Sequence, residues 1–336
     1  MFTSTGIVRS ESTQDLLERY EPYLQRCRDY ITAELKALPE TAVLVEYFKG
    51  GKMLRPLLVF VAASITGNEP RKMIKVAAGL ELLHGASLIH DDIVDESGTR
   101  RGHPALHAQV GIGAALVLGD YLILRSFALL CETDTPYPER LLEVLQMVSR
   151  YAQQCCLGEL HELLPSGRLD PEEEYFSIVH GKTASLFSAA TSVPLILKGG
   201  TVSEIEALRT YGLHVGIAFQ IQDDVLDLIG DPITMGKPVG NSLAKGRLLL
   251  PLIYLERHGS PAARREYHRM QQTDGSCHRW HAELVALLKE EGILDRVKAS
   301  QDIHRALALE ALNKIFLSRE TASLAVLASY ATTWYH

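Results

Sequence analysis

Leu88-Ile89-His90-Asp91-Asp92-Ile93-Val94-Asp95 places three carboxylates in an apolar stretch of the chain. A later stretch, Gln220-Ile221-Gln222-Asp223-Asp224-Val225-Leu226-Asp227, has the same DDxxD spacing in the same apolar setting. Residues three, four and seven apart share one face of a helix, so each stretch predicts a helix with stacked like charges. Such a stack beside apolar side chains needs cations. The two motifs therefore predict two helices that each present carboxylates to a bound cation.

The cation that these motifs predict is Mg²⁺. Their ligands are hard carboxylate oxygens, and no His or Cys stands at the spacing of a zinc site. Magnesium held by a few carboxylates usually also binds a phosphate. We therefore expect basic residues that bind phosphate elsewhere in the chain.

Basic residues do stand beside glycines at several places. They occur in Gly50-Gly51-Lys52-Met53-Leu54-Arg55-Pro56, Arg100-Arg101-Gly102, Gly181-Lys182-Thr183, Gly236-Lys237-Pro238 and Gly246-Arg247. Arginine suits a diphosphate through paired hydrogen bonds, and lysine acts as a point charge. We expect the third of these segments to open a helix, where free backbone N–H groups favour anions.

The rest of the chain predicts an all-α fold. Leu, Ala, Ile and Glu recur at helical spacing, and no Asn-Gly or Asp-Gly hairpin separates alternating segments. The helical texture is the same throughout, so we expect one all-helical domain over residues 1–336.

Composition excludes several other classes of protein. The 336 residues are 46% hydrophobic and 22% charged, which argues against a disordered chain, and the net charge of −7 argues against a nucleic-acid binder. No apolar run approaches the roughly 20 residues of a membrane helix. The five cysteines form no CxxC pair, which favours reduced thiols and a cytoplasmic protein.

The motifs together resemble the trans-isoprenyl diphosphate synthases, also called polyprenyl synthetases. The matching blocks are GGKMLRP at 50–56, ELLHGASLIHDDIVDESGTRRG at 81–102, GDYL at 119–122, GKTASLF at 181–187, FQIQDDVLD at 219–227 and GKPVG at 236–240. The resemblance covers residues 50–255. It implies a single large helical bundle around a deep central cavity, commonly a homodimer, with no transmembrane segment.

The resemblance also implies residue roles for the condensation of isopentenyl diphosphate with an allylic diphosphate. The expected Mg²⁺ ligands are Asp91, Asp92, Asp95, Asp223, Asp224 and Asp227. The expected contacts of the allylic diphosphate are Arg100, Lys182 and Lys237. The expected contacts of isopentenyl diphosphate are Lys52, Arg55, His84 and Arg101. Thr183 and Gln220 are expected to point oxygen dipoles at the carbocation that forms when diphosphate leaves.

Two features distinguish this chain within the resemblance. After GKPVG the family commonly has Asp-Leu and then Glu-Gly-Lys, whereas this chain has Ser242-Leu243-Ala244-Lys245-Gly246-Arg247, which predicts a weaker third metal site. Short-chain members usually carry an aromatic residue one turn before the first motif, where this chain has Ala86 and Ser87, with Leu83 deeper on the wall. We therefore expect a product longer than farnesyl diphosphate.

Other functions remain open on the sequence alone. A class I terpene cyclase shares the fold but normally replaces the second aspartate motif, which this chain keeps. A metal phosphohydrolase built around His90 and Asp91 would leave the second motif unexplained. The chain could also be a catalytic or binding subunit of a heteromeric polyprenyl diphosphate synthase.

Overall fold

The computed structural model describes residues 12–164, 170–230, 240–272, 280–315 and 319–333, and most of them lie in helices. The helices in these ranges are α1 Thr13–Lys36, α2 Leu44–Phe48, α3 Leu54–Ile65, α4 Ile74–Val94, α5 Leu106–Val110, α6 Ile112–Cys131, α7 Glu139–Leu163, α8 Pro171–Val179, α9 Ser185–Leu197, α10 Val202–Ile229, α11 Asn241–Ala244, α12 Leu250–His258, α13 Pro261–Gln272, α14 His281–Glu290, α15 Ile293–Leu312 and α16 Arg319–Thr333. One short antiparallel pair, β1 Thr99–Arg100 and β2 His103–Pro104, follows α4. The predicted all-α fold is confirmed.

Helix α9 lies at the centre of the bundle, and all 13 of its residues are buried. It packs against α3, α7 and α10. Its hydroxyl groups bond to nearby carbonyl oxygens: Ser192 Oγ donates to Ser188 O, and Thr191 Oγ1 donates to Leu208 O, both at 2.7 Å. Because buried polar groups are costly when unpaired, these bonds allow serine and threonine in the core.

Helix α10 approaches α9 closely because glycines face it. A Cβ atom on Gly212 would lie 2.5 Å from Phe187 O, and one on Gly216 would lie 2.6 Å from Ala184 Cα. Any larger residue would push the helices apart. Buried side chains of α10 join both hydrophobic clusters of the bundle. This packing sets the position of the second aspartate motif, at the C-terminal end of α10.

Helix α6 has the length and composition of a membrane span, so the expectation that no apolar segment reaches that length was wrong. Asp120 and Arg125 interrupt its apolar run in the sequence. In the structure Arg125 Nη2 lies 2.6 Å from Glu34 Oε2, and the helix packs along α4. Only 33% of its apolar window is buried, so α6 is not a fully buried core helix. Length and composition alone are weak evidence for a membrane span.

Candidate active site

The two aspartate motifs lie on a shared cavity of about 760 Å³. Helix α4 brings Asp91 to its wall, and α10 brings Asp223 and Asp224. The residues expected at the site that line this cavity are Lys52, Arg55, His84, Ser87, Asp91, Arg100, Arg101, Lys182, Thr183, Gln220, Asp223 and Asp224. Acidic and basic side chains expected at the site thus meet on one cavity, and their roles stay predictions.

Other residues expected at the site lie elsewhere. Asp92 and Asp227 are almost fully buried, at 1% and 2% exposure, and neither lines the cavity. Leu83 and Ala86 are packed in the hydrophobic core. Lys237 lies outside the described residues.

Asp92 is held by Arg100 across the turn that follows α4. The Arg100 Nε atom donates to Asp92 Oδ1 at 3.0 Å and to Oδ2 at 3.1 Å. Arg101 has a left-handed backbone, with φ of 52°, and its guanidinium lies against Gly51, where a Cβ atom would be 3.3 Å from Nη1. The β1–β2 turn therefore presents two arginines to the cavity.

Asp95, at the end of α4, contacts two basic residues from the segment 242–249. Arg247 Nη2 forms an ion pair with Asp95 Oδ2, and Lys245 Nζ lies 3.3 Å from the same oxygen. Lys245 Nζ also donates to Ser97 Oγ at 2.8 Å. The chain that follows the second motif is thus tied to the end of the first.

Lys182 does not stand at a helix start, so that expectation was wrong. It lies in a π-helical turn, His180–Ala184, that joins α8 to α9 without a break. The flanking residues Val179 and Ser185 both have right-handed helical backbone, so the helix continues through the turn and the N–H groups are not freed for an anion. Any anion bound here must therefore rely on the Lys182 ammonium.

Two glutamates of α7 belong to the site and were missed by the sequence analysis. Lys182 Nζ lies 2.6 Å from Glu162 Oε2 and also forms an ion pair with Glu159. Gly158 and Gly181 let the helices approach, since a Cβ atom on Gly181 would lie 2.5 Å from Gln154 O. The available signal was two carboxylates three residues apart, on one helical face, next to a glycine.

Burial shifts the pKa of Asp91 upward. Burial is the main cause and raises this pKa to about 7, while Lys182 lowers it and Glu159 raises it. The ionised form of Asp91 therefore needs more positive charge than the protein supplies.

The second motif is arranged by a hydrogen-bonded chain. Thr183 Oγ1 donates to Gln220 Oε1 at 2.9 Å, and Gln220 Nε2 donates to Asp224 Oδ1 at 3.0 Å. Burial raises the pKa of Asp224 to about 7. The Ser242 N–H donates to Asp227 Oδ2 at 2.9 Å, so Asp227 anchors the segment that follows.

A basic pocket lies beside the first motif and contains Arg55, His84 and Arg101. Burial lowers the pKa of Arg55, whose guanidinium lies 5.1 Å from the ring centre of Phe187. Burial and the neighbouring arginines hold the pKa of His84 well below its usual value, so its imidazole is neutral. A pocket with this excess of positive charge favours an anionic group.

The donor set fits magnesium in kind. Asp91, Asp223 and Asp224 offer carboxylate oxygen atoms on the cavity wall. However, no three His, Cys, Asp or Glu side chains of the described residues converge as a ready metal cage. Asp92, Asp95 and Glu162 form ion pairs with basic side chains instead. A metal would have to displace some of these basic side chains to reach the carboxylates.

A family model described as polyprenyl synthetase matches residues 40–288, which is most of the chain. The chain therefore belongs to the polyprenyl synthetase family, and it is a prenyltransferase.

The relatives and solved structures extend this match to nearly the whole chain. The short chain isoprenyl diphosphate synthase of Methanothermobacter thermautotrophicus is 34% identical over 96% of this chain and 98% of its own length. The all-trans-nonaprenyl-diphosphate synthase (geranyl-diphosphate specific) of Rhodobacter capsulatus is 37% identical over 78% of this chain and 80% of its own. The crystal structure of polyprenyl synthase from Caulobacter crescentus, complexed with calcium and isoprenyl diphosphate, has a TM-score of 0.84 at 31% identity and covers 97% of this chain and 98% of that one.

Proposed function

We propose that this chain condenses isopentenyl diphosphate with an allylic diphosphate in a Mg²⁺-dependent reaction. The observation that carries the proposal is the shared cavity, where Asp91 of α4 and Asp223 and Asp224 of α10 lie with a basic wall. Side chains from helices of both hydrophobic clusters line it, so we infer one catalytic domain. When bound, Mg²⁺ would supply positive charge to the leaving diphosphate.

The basic residues expected at the site would divide the binding of the two substrates. Arg100, Lys182 and Lys237 would hold the allylic diphosphate, and the basic pocket with Lys52, Arg55, His84 and Arg101 would hold isopentenyl diphosphate. Neutral His84 would act as a hydrogen-bond partner rather than as a charge.

The transition state gains stability from oriented dipoles. The oxygen atoms of Thr183 and Gln220 are held in place by their mutual hydrogen bond and by Asp224. Oriented dipoles in a water-poor site stabilise developing charge strongly, because they need no reorganisation. Leu88 and Phe219 give the cavity an apolar wall that excludes water from the allylic cation.

We further propose that the product is longer than farnesyl diphosphate. Ser87 lines the cavity, and Ala86 precedes Ser87 on α4. Neither side chain carries a ring that would block a growing chain. The relatives include both a short-chain synthase and a nonaprenyl synthase, so they leave the product length open.

We also propose that two copies of the chain associate. Helix α6 exposes a row of large apolar side chains, with Leu116 at 47%, Val117 at 65% and Leu124 at 70% exposure. Such a face favours a partner surface of the same kind.

The cysteine pattern, with no CxxC pair, supports a reducing compartment such as the cytoplasm.

The test is an assay of the purified chain with Mg²⁺, isopentenyl diphosphate and each of dimethylallyl, geranyl and farnesyl diphosphate. We expect linear products, identified by mass, that disappear with chelator and with Asp91→Asn or Asp224→Asn. Asp134→Asn, an exposed aspartate, is the matched control. A cyclic hydrocarbon would favour the cyclase, and binding without elongation would favour a heteromeric synthase.

A further inference from the structure

Two cations contact one carboxylate at the end of the first motif. Arg247 forms an ion pair with Asp95 Oδ2, and Lys245 Nζ lies 3.3 Å from the same oxygen. The side chains of Asp95 and Lys245 are 15% and 22% exposed, so solvent screens this contact only in part. The bond from Lys245 Nζ to Ser97 Oγ, at 2.8 Å, fixes the ammonium in place.

Lys245 is the second cation on Asp95 Oδ2, because Arg247 already forms an ion pair with that oxygen. Arg247 divides its charge, since its Nε atom also lies 3.8 Å from Glu162. Lys245 and Arg247 together occupy the carboxylate that a metal would use. A divalent ion that approached Asp95 would meet repulsion from Lys245 at close range.

We propose that Lys245 is an internal cation that competes with the divalent metal at Asp95 and couples metal binding there to the arrival of diphosphate. The inference rests on the proposed metal role of Asp95. Diphosphate oxygens would offer the Lys245 ammonium another partner, and its departure would leave Asp95 with Arg247 alone and lower the repulsion that the metal meets. Diphosphate and metal then bind cooperatively, and the coupling is reciprocal.

The experiment measures Mn²⁺ binding to the purified chain from the loss of the free-ion electron paramagnetic resonance signal, with and without inorganic diphosphate. Lys245→Met keeps an unbranched side chain, one atom shorter, and removes its charge. Without diphosphate we expect this variant to bind Mn²⁺ about tenfold more tightly than the native chain, because one repelling charge is gone. We expect diphosphate to enhance metal binding less in the variant than in the native chain.

The matched control is Lys298→Met, which removes a lysine that pairs with Asp302 on the surface of α15. It should bind Mn²⁺ as the native chain does. Unchanged or weaker Mn²⁺ binding by Lys245→Met, with native circular dichroism and melting temperature, would overturn the inference.

The two proposals fail in different ways. If the native chain elongates prenyl diphosphates only with metal and Lys245→Met binds metal like the native chain, only the role of Lys245 is refuted. If the native chain neither binds Mn²⁺ nor needs metal for transfer, the metal-dependent function fails as well.

Discussion

Arg100, in the turn after α4, donates hydrogen bonds from its Nε atom to both carboxylate oxygens of Asp92, at 3.0 and 3.1 Å. Asp92 is 1% exposed, whereas its neighbour Asp91 lines the cavity. Adjacent aspartates of one motif therefore face different surroundings. We infer that Asp92 positions Arg100, and its role as a metal ligand stays a prediction.

Loss of the Asp92 carboxylate should destabilise the fold. We expect Asp92→Ala to lower the free energy of unfolding by about 2 kcal/mol, less than a fully buried pair would lose, because the Arg100 side chain is 28% exposed. Urea unfolding measures this change. Asp302→Ala removes a surface pair with Lys298 and should cost under about 0.5 kcal/mol. Equal losses in the two variants would contradict the buried role of Asp92.

The chain from Thr183 through Gln220 to Asp224 should behave as one unit. We expect Thr183→Val and Gln220→Leu each to lower kcat about tenfold, and the double variant to be little worse than either single one. Ser192→Ala removes a hydroxyl bonded within α9 and should leave kcat unchanged. Fully additive losses in the steady-state kinetics would show that the two side chains act separately.

The close contact at Gly181 should control the position of Lys182. In Gly181→Ala the new Cβ atom would lie 2.5 Å from Gln154 O, so α7 and the π-helical turn must separate. We expect a loss of about 1–3 kcal/mol in stability and a lower kcat/KM. Gly98→Ala, where no atom lies within 4 Å, is the control. A native melting temperature for Gly181→Ala would argue against this packing.

Product length should respond to bulk beside the first motif. We expect Ser87→Phe and Ala86→Phe to shorten the product, as measured by mass spectrometry. A ring at either position would narrow the cavity that holds the growing chain. Ala86 is fully buried, so its variant also overpacks the core. Ala308→Phe on α15 matches that overpacking away from α4 and should leave the product unchanged. Unaltered products in both α4 variants would place the floor elsewhere.

A histidine pair between α10 and α15 should make the fold sensitive to acid. His214 Nδ1 lies 3.0 Å from His304 Nδ1, and burial together with His214 lowers the pKa of His304 to about 4. Between that value and the ordinary pKa of about 6.5 the unfolded chain binds a proton that the folded chain does not. Stability should therefore fall as the pH is lowered through this window.

The variant His304→Gln tests this origin of acid sensitivity. We expect urea midpoints measured at pH 7, 6 and 5 to change less in this variant than in the native chain. His268→Gln, on the exposed face of α13, should keep the native slope. An unchanged slope in His304→Gln would assign the sensitivity to other groups.

The sequence predicted the parts of the site that local spacing determines. Asp91 and Asp223 follow from helical periodicity, and the basic pocket follows from glycines beside Arg55 and Arg101. The ion pair between Glu159 and Lys182 could not be predicted, because it depends on how α7 packs against a π-helical turn. That turn shifts the helical register by one residue and has no proline at its centre. The local sequence therefore does not predict a π-helical turn there.

Helix α9 carries a cost during biosynthesis, because the finished fold buries it around its whole circumference. Helices α3 and α7 precede it in the chain, but α10, which covers another of its sides, is translated later. A nascent chain that leaves the ribosome therefore exposes part of α9 until α10 has emerged and docked. Over that interval the unfinished bundle exposes an aggregation-prone apolar surface of the kind that chaperones bind.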